Sequence, residues 1–341
     1  MAGLACTSET SVRFHMEVLD FYDYVKPRLF EDRVRRELVR DIDRTIRQRY
    51  HDARIDAFGS FMSGLYLPTG DMDLVFCSER FLKNGMAVYN TKRHLWQLRR
   101  FLETKRVASE NNFEVISKAK VPLVKYIDKL TGLKVDMSFE NITGVNAIET
   151  FKAWKEQYPA MPILVTVIKH FLLMRGLNEP VNGGIGGFSV ICLVTSMLQL
   201  MPQVQSGDLI PEHHLGMLLM EFFDLYGNRF NFKTVAISLN PPRYIPKSQV
   251  TGFAYKNPGR LSIIDPNNPE NDISGGSSNT EKVMYYFSVA YKELQERMIK
   301  APSAVGESIL EVIMGGNYSS FRHQRDHLRK VHERLYGPCE D

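Results

Sequence analysis

Residues 71–77 read DMDLVFC, two carboxylates one residue apart at the mouth of a run apolar enough to be buried. Charged groups are seldom buried without a partner, so a chain with this run must fold in a way that lets its acids meet a cation. Strand side chains alternate between faces with a period of two. With a strand beginning by residue 71, Asp71 and Asp73 share a face, and they repel unless a cation lies between them or one is protonated. Mg²⁺ takes oxygen ligands and is commonly held by one or two carboxylates together with substrate phosphates. A D-x-D alone is common in turns and at surface edges, and the G-x5-E continuation of an EF-hand is missing here.

The surroundings make the pair more specific. The runs RIDAF (54–58), DLVF (73–76), FEVIS (113–117), VPLVKYID (121–128) and LKVDMSF (133–139) read as short strands. The last two flank a hairpin turn over Lys129–Gly132, and a helix is expected over 87–107. This predicts a mixed sheet with helices on one side. In LKVDMSF, Leu133, Val135, Met137 and Phe139 face one way and Asp136 the other. If that strand pairs beside 72–77, Asp136 completes a three-carboxylate cluster of the kind that holds two metals for in-line phosphoryl chemistry. Gly59-Ser60 follows the first strand, where a glycine lets a phosphate approach the backbone and a serine hydroxyl and free N–H groups donate to it.

The rest of the chain is mainly helical. Residues 15–50 read as one amphipathic helical region with Val34, Leu38, Ile42 and Ile46 at a spacing of four, and Pro27 breaks or starts a segment within it. Further helices are expected near 147–157, 161–175, 188–201, 212–226 and 279–298, with a basic helix or tail at the C-terminus. Residues 240–278 are rich in Pro, Asn and Gly and show little periodicity. A stretch of that kind is usually functional or disordered.

Composition narrows the class. The 341 residues carry 43 Lys and Arg against 39 Asp and Glu, a net charge of +4, which tolerates an anionic partner without establishing one. Arg33, Arg35, Arg36, Arg40, Arg44, Arg47, Arg49 and Arg54 are interleaved with Glu31, Asp32, Glu37, Asp41, Asp43 and Asp52. Two readings fit: a solvated helix face laced with i,i+4 pairs, or a strip that contacts phosphates. The 4 cysteines have no metal-ligand spacing, so neither a zinc site nor a disulfide framework is expected. The N-terminus does not read as a signal peptide, and no run reaches the roughly 18 apolar residues of a membrane span. No membrane partner is expected.

Taken together, FGSFMSGLYLPTGDMDLVF, VDMSFENITGVNA, VIKHFLLMRGLNEP, GGIGGFSVICLVTSMLQL, LLMEFFDLYG and IIDPNNPENDIS resemble the DNA polymerase β-like nucleotidyltransferase superfamily. Within it they look like the Trf-type noncanonical poly(A) polymerases of the fungal nuclear polyadenylation (TRAMP) complex. The resemblance runs from about residue 20 to 300. It implies an α+β fold: a small mixed β-sheet nucleotidyltransferase (polymerase β-like) catalytic domain over 53–146 and a larger, mainly helical central domain over 147–320. An N-terminal helical region, 15–52, would pack on the central domain, and a nucleotide recognition loop would span 255–274.

The resemblance also implies roles. Asp71, Asp73 and Asp136 would bind two Mg²⁺ ions, with Mn²⁺ as a substitute, Asp71 and Asp73 through the triphosphate and Asp136 at the incoming 3′-hydroxyl. Gly59 and Ser60 would cradle phosphates, Asn146 would contact the ribose, and Lys169 would reach the triphosphate. Where relatives present a Ser-Tyr pair, this chain has Gly187-Phe188. Phe188 keeps a ring to stack on the base, and the Gly187 N–H stands in for the missing hydroxyl. Asn271 falls where uridylyl-transferring relatives carry a histidine, which favours adenine. The substrates implied are ATP and RNA 3′ ends, and the partners a zinc-knuckle RNA-binding protein and an RNA helicase, in the nucleus or nucleolus. A uridylyl or mixed-base transferase and a catalytically silent scaffold are the rival readings. From the residues alone, Lys169 could snorkel from an apolar helix, Phe188 could be core, His170 reads as a packed polar residue, and GGIGG as a loop.

Overall fold

The computed structural model describes residues 8–118, 121–301 and 306–339; Cys6 lies outside them. In chain order the helices are α1 (Ser8–Val25), α2 (Leu29–Arg47), α3 (Gly59–Ser63), α4 (Glu79–Asn84), α5 (Lys92–Thr104), α6 (Thr143–Gln157), α7 (Ala160–Met174), α8 (Gly187–Leu200), α9 (Pro202–Gln205), α10 (Leu215–Asp224), α11 (Thr280–Lys300), α12 (Glu311–Met314) and α13 (Ser319–Tyr336). The strands are β1 (Ala53–Phe58), β2 (Met72–Ser78), β3 (Ala108–Ile116), β4 (Leu123–Asp128), β5 (Lys134–Phe139), β6 (Val235–Leu239), β7 (Pro242–Pro246), β8 (Ile264–Asp265) and β9 (Asn268–Asp272). Two compact units emerge. A sheet unit comprises Lys26–Phe151 and the chain from Asn317 onward, and a helical unit comprises α1 and Lys152–Gly316.

The sheet unit is built on a five-stranded mixed sheet of order β1-β2-β5-β4-β3. β2 and β5 run parallel, and the other neighbours are antiparallel. Every second residue turns inward: Met72, Leu74 and Phe76 from β2, Val135, Met137 and Phe139 from β5, and Val124 and Tyr126 from β4. They meet Val34, Leu38, Ile42 and Ile46 of α2, Leu95, Leu98, Phe101 and Leu102 of α5, and Leu328 and Val331 of α13 in one core. The β4–β5 turn is fixed by Asp128, whose carboxylate accepts from the Thr131 N–H (2.8 Å) and hydroxyl (2.7 Å), so the hairpin register is set locally.

The region 15–50 is two helices, not one. α1 ends at Val25 and α2 begins at Leu29, on either side of Pro27, which cannot donate an interior helix hydrogen bond. The stretch 15–52 is divided between the units, because α1 groups with the helical unit while the apolar stripe of α2 lies in the sheet unit's core. The sheet unit also runs past residue 146 to Phe151 and recruits α13. The helix expected over 87–107 is α5, shorter at both ends at 92–104, and α4 precedes it.

In the helical unit, Phe171 of α7, Phe222 and Phe223 of α10 and Phe287 of α11 are fully buried, with ring centroids 5.0 Å apart for Phe171–Phe223 and 5.2 Å for Phe222–Phe287. The aperiodic stretch 240–278 contains β7, most of which is exposed, and the small β8–β9 hairpin. Lys247 braces it by donating from its ammonium to the carbonyls of Pro258 (2.6 Å) and Arg260 (2.5 Å). Among the described residues no helix is long and apolar enough to cross a membrane.

Candidate active site

One register row crosses the whole sheet. Phe58 of β1 pairs with Asp73 of β2, Asp73 with Asp136 of β5, Asp136 with Lys125 of β4, and Lys125 with Glu114 of β3. Asp73, Asp136 and Lys125 alternate with the core-facing residues, so they lie on the sheet face away from the core. The parallel pairing of β2 with β5 sets two of the three expected carboxylates side by side. Asp71 lies one residue before β2, partly buried, and it is delivered by the loop that follows α3.

Gly59 is shaped to this row. Its φ is +67°, and a Cβ added there would lie 2.3 Å from the Asp73 carboxylate oxygen Oδ2. Glycine is therefore required twice, by the left-handed backbone and by the carboxylate seated against its Cα. Ser60 follows at the start of α3, partly exposed. At Gly144 a Cβ would strike the Phe58 ring at 2.3 Å. The first turn of α6, with Asn146 exposed on it, thus rests on the end of β1 at the same row.

The loop carrying Asp71 is held by Arg35, a basic residue of α2 that is not on the surface. Arg35 is 0% exposed. Its guanidinium donates to the Gly70 carbonyl (2.8 Å), the Pro68 carbonyl (3.2 Å) and the Met72 sulfur (3.3 Å), and it stacks over the Tyr66 ring at 4.3 Å. Burial pushes its pKa below the usual arginine value, against the opposing pull of Tyr66, Glu31 and Asp71. The signal was in the sequence: Glu31, Arg35, Leu38 and Ile42 follow the i, i+4, i+7, i+11 spacing of one buried stripe. Four other arginines of α2 are paired along its outer face, Arg36 with Asp32 (2.6 Å), Arg40 with Glu37 (3.2 Å), Arg44 with Glu37 (2.7 Å) and Arg47 with Asp43 (2.8 Å). Of the two readings of this strip, the i,i+4-laced face is the one these pairs support.

The donor set fits a hard dication. Asp71, Asp73 and Asp136 offer only carboxylate oxygens, and Lys125 already stands in as a cation, its ammonium 2.9 Å from Asp136 Oδ2. The three acids are not gathered into a ready-made cage: among the described residues no group of three His, Cys, Asp or Glu side chains is close enough to hold a metal. Mg²⁺ needs only one or two carboxylates when substrate phosphates supply the rest. Beside Asp136 lies an open depression of about 340 Å³, lined by Asn112, Glu114, Lys125, Lys134 and Asp136 among others.

The helical unit holds the other expected residues. Lys169 on α7 does not simply snorkel. Its side chain ends over the start of α8, where a Cβ on Gly187 would lie 3.5 Å from Lys169 Cε and 3.6 Å from Nζ. An ammonium and a helix N-terminus meet there, an arrangement suited to an anion. Phe188 is partly exposed, as a stacking ring requires. Asn271 on β9 donates from Nδ2 to Asp265 Oδ2 at 3.0 Å, and Asp265 is itself buried and accepts from the Asn267 N–H at 2.9 Å. His170 is buried against the Phe21 ring at 5.3 Å, and burial followed by Arg175 pushes its pKa down to about 4, which is a packed neutral imidazole. Cys77 and Cys192 are buried with thiol pKa values pushed up by burial, which makes them inert core residues.

Comparison with known proteins places this geometry in context. Residues 14–156 match the family described as poly(A) RNA polymerase, mitochondrial-like, central palm domain, and residues 214–271 match the Cid1 family poly A polymerase. The chain is 35% identical over 309 residues to Poly(A) RNA polymerase protein 2 of Saccharomyces cerevisiae, covering 90% of this chain and 52% of that protein. It is 31% identical over 306 residues to a Drosophila melanogaster protein named as an inactive noncanonical poly(A) RNA polymerase, covering 88% of this chain and 72% of that one. Among solved structures, the polymerase core of TRAMP, a RNA surveillance complex, superposes with a TM-score of 0.80 at 34% identity, covering 90% of this chain and 95% of that one. The chain spans about half the length of the curated yeast relatives it matches.

Proposed function

The chain belongs to the noncanonical poly(A) RNA polymerase family of nucleotidyltransferases, and on that premise we propose that it adds AMP from ATP to RNA 3′-hydroxyls without a template, releasing pyrophosphate. The observation that carries the reading is the pairing of Asp73 with Asp136 across parallel strands, with the Asp73 carboxylate seated on Gly59. An inactive relative exists in the family, so family membership alone does not decide between an enzyme and a scaffold. A scaffold has no use for two adjacent repelling carboxylates, or for a glycine shaped around one of them.

In this reading Asp71 and Asp73 hold the triphosphate side of the site and Asp136 the side of the attacking hydroxyl. Gly59 and Ser60 leave room and donors for phosphate, and Lys169 with the start of α8 supplies a second anion seat. Two Mg²⁺ ions, for which Mn²⁺ is the substitute, supply Lewis acidity and charge neutralisation at the transferring phosphate when bound. Asn146 meets the ribose and Phe188 stacks on the base. Asn271, oriented by Asp265, offers an amide edge, the group that pairs bidentately with adenine. Because Asn271 stands where uridylyl-transferring relatives carry histidine, adenine is the preferred base.

By its likeness to the polymerase core of an RNA surveillance complex, the chain works on nuclear RNA destined for processing or decay. Its partners are a zinc-knuckle RNA-binding protein and an RNA helicase. The deciding experiment offers each NTP singly, with Mg²⁺ and an RNA primer, with and without a zinc-knuckle partner. ATP-dependent tailing is expected, abolished in a folded Asp71→Ala/Asp73→Ala variant. Robust tailing by that variant would sink the assignment, and preferential use of UTP would replace adenylyl with uridylyl transfer.

A further inference from the structure

The lysine in the register row is unexplained by the chemistry above. Lys125 comes from β4, on the far side of β5 from Asp73, and its ammonium lies 2.9 Å from Asp136 Oδ2. The two side chains are only 32% and 21% exposed. A divalent cation and an ammonium both seek the same carboxylate, and each raises the cost of the other's presence. On its other flank Lys125 pairs in register with Glu114 of β3, which is exposed. Cross-strand neighbours in antiparallel pairs sit about 5 Å apart at Cβ, within easy swing of a four-carbon side chain. The depression lined by Lys125, Glu114 and Asp136 leaves that swing open.

We propose that Lys125 is a resident counter-cation of Asp136: it holds this carboxylate in place, and it yields it, moving toward Glu114, when a divalent cation binds there. Lys125 is a positioning residue, acting through Asp136 and touching no reacting atom. The inference rests on the metal-binding role of Asp136 proposed above. Its consequence is specific. The lysine makes the Asp136 position weak for metal until the metal, brought with substrate, outcompetes it, and so delays assembly of the hydroxyl-side position.

Mn²⁺ binding to the full chain, followed by electron paramagnetic resonance without nucleotide or RNA, tests this directly. Lys125→Gln is expected to bind Mn²⁺ tighter by about two- to fivefold, the size of a partly exposed ion pair. Lys125→Arg, which keeps the charge, and Lys83→Gln, which removes a distant exposed one, are expected to match the unmodified chain. The gain is expected to vanish in Lys125→Gln/Asp136→Asn, as a double-mutant cycle requires of a direct coupling. Equal or weaker binding in Lys125→Gln overturns the proposal, as does a gain that survives Asp136→Asn or appears equally in Lys83→Gln. A chain that shows the expected binding pattern yet transfers no nucleotide counts against the proposed function and not against the role of the lysine.

Discussion

Adding one methyl group at Gly59 is expected to cost far more activity than stability. An L-residue at the φ of +67° found there costs about 1–2 kcal/mol for the left-handed backbone alone. The new Cβ would also lie 2.3 Å from Asp73 Oδ2, where such contacts do not occur below 3.0 Å. The carboxylate must therefore retreat by roughly 0.7 Å or more, on the scale at which a misplaced group costs about 10²-fold in rate. Gly85 supplies the control, with a φ of +70° and nothing within 4 Å of an added Cβ. Gly59→Ala and Gly85→Ala should thus lose similar amounts of stability in denaturant melts. Only Gly59→Ala should lose tailing, by about 10²-fold in kcat. If Gly59→Ala retained kcat within threefold, or if Gly85→Ala fell as far, the seating of Asp73 on Gly59 would have no part in activity.

Two further outcomes follow from buried groups. Arg35→Met should lower stability by about 2–3 kcal/mol, since the Gly70 and Pro68 carbonyls lose their donor in the interior. Arg35→Lys should not restore it, because a point ammonium cannot reproduce the guanidinium fork, and both variants should raise the KM for ATP; denaturant melts and steady-state kinetics check this. His170 has its pKa pushed down to about 4 from an ordinary 6.5, so as pH falls the unfolded chain takes up the proton first. Its contribution is intact above 6.5 and is lost as pH falls toward 4, about 3 kcal/mol in all. Melting temperatures across that window should flatten in His170→Gln relative to the unmodified chain.

Much of this was legible because local rules were sufficient. Strand alternation separated Asp136 from Val135 and Met137, and the turn over Lys129–Gly132 announced the β4–β5 hairpin. With the register centred on Leu130 and Thr131, that hairpin already sets Lys125 opposite Asp136, so this pairing too is implicit in the sequence. The neighbour relation of β2 to β5 could only be conditional, because a parallel pairing across some 60 residues leaves no local trace. At Arg35 residue type and position point in opposite directions. Read by chemistry it belongs with Arg33 and Arg36; read by helical period it belongs with Leu38. The return of α13 to pack with α2 in the sheet unit's core was likewise invisible, since nothing in a basic amphipathic helix names its partner.

The two faces of β2 explain why the site and the core cannot be varied independently. Met72, Leu74 and Phe76 are 0–1% exposed, while Asp73 between them points to the opposite face. A one-residue slip of β2 against β5 would turn Asp73 in among apolar side chains and bring Met72 or Leu74 to its half-exposed place, the rest of the opposite face being buried as well at Val75 and Cys77. It would cost about 1.5–3 kcal/mol for the one apolar side chain displaced before the desolvation of the carboxylate is counted. The apolar face thereby pins the register that sets Asp73 beside Asp136, and a site made of two repelling acids, unable to hold its own alignment, borrows it from the core beneath. Substitutions that keep the apolar pattern of β2 and β5 should preserve the pairing whatever they do to core volume. Those that blur the alternation should misplace the carboxylates even where the chain still folds.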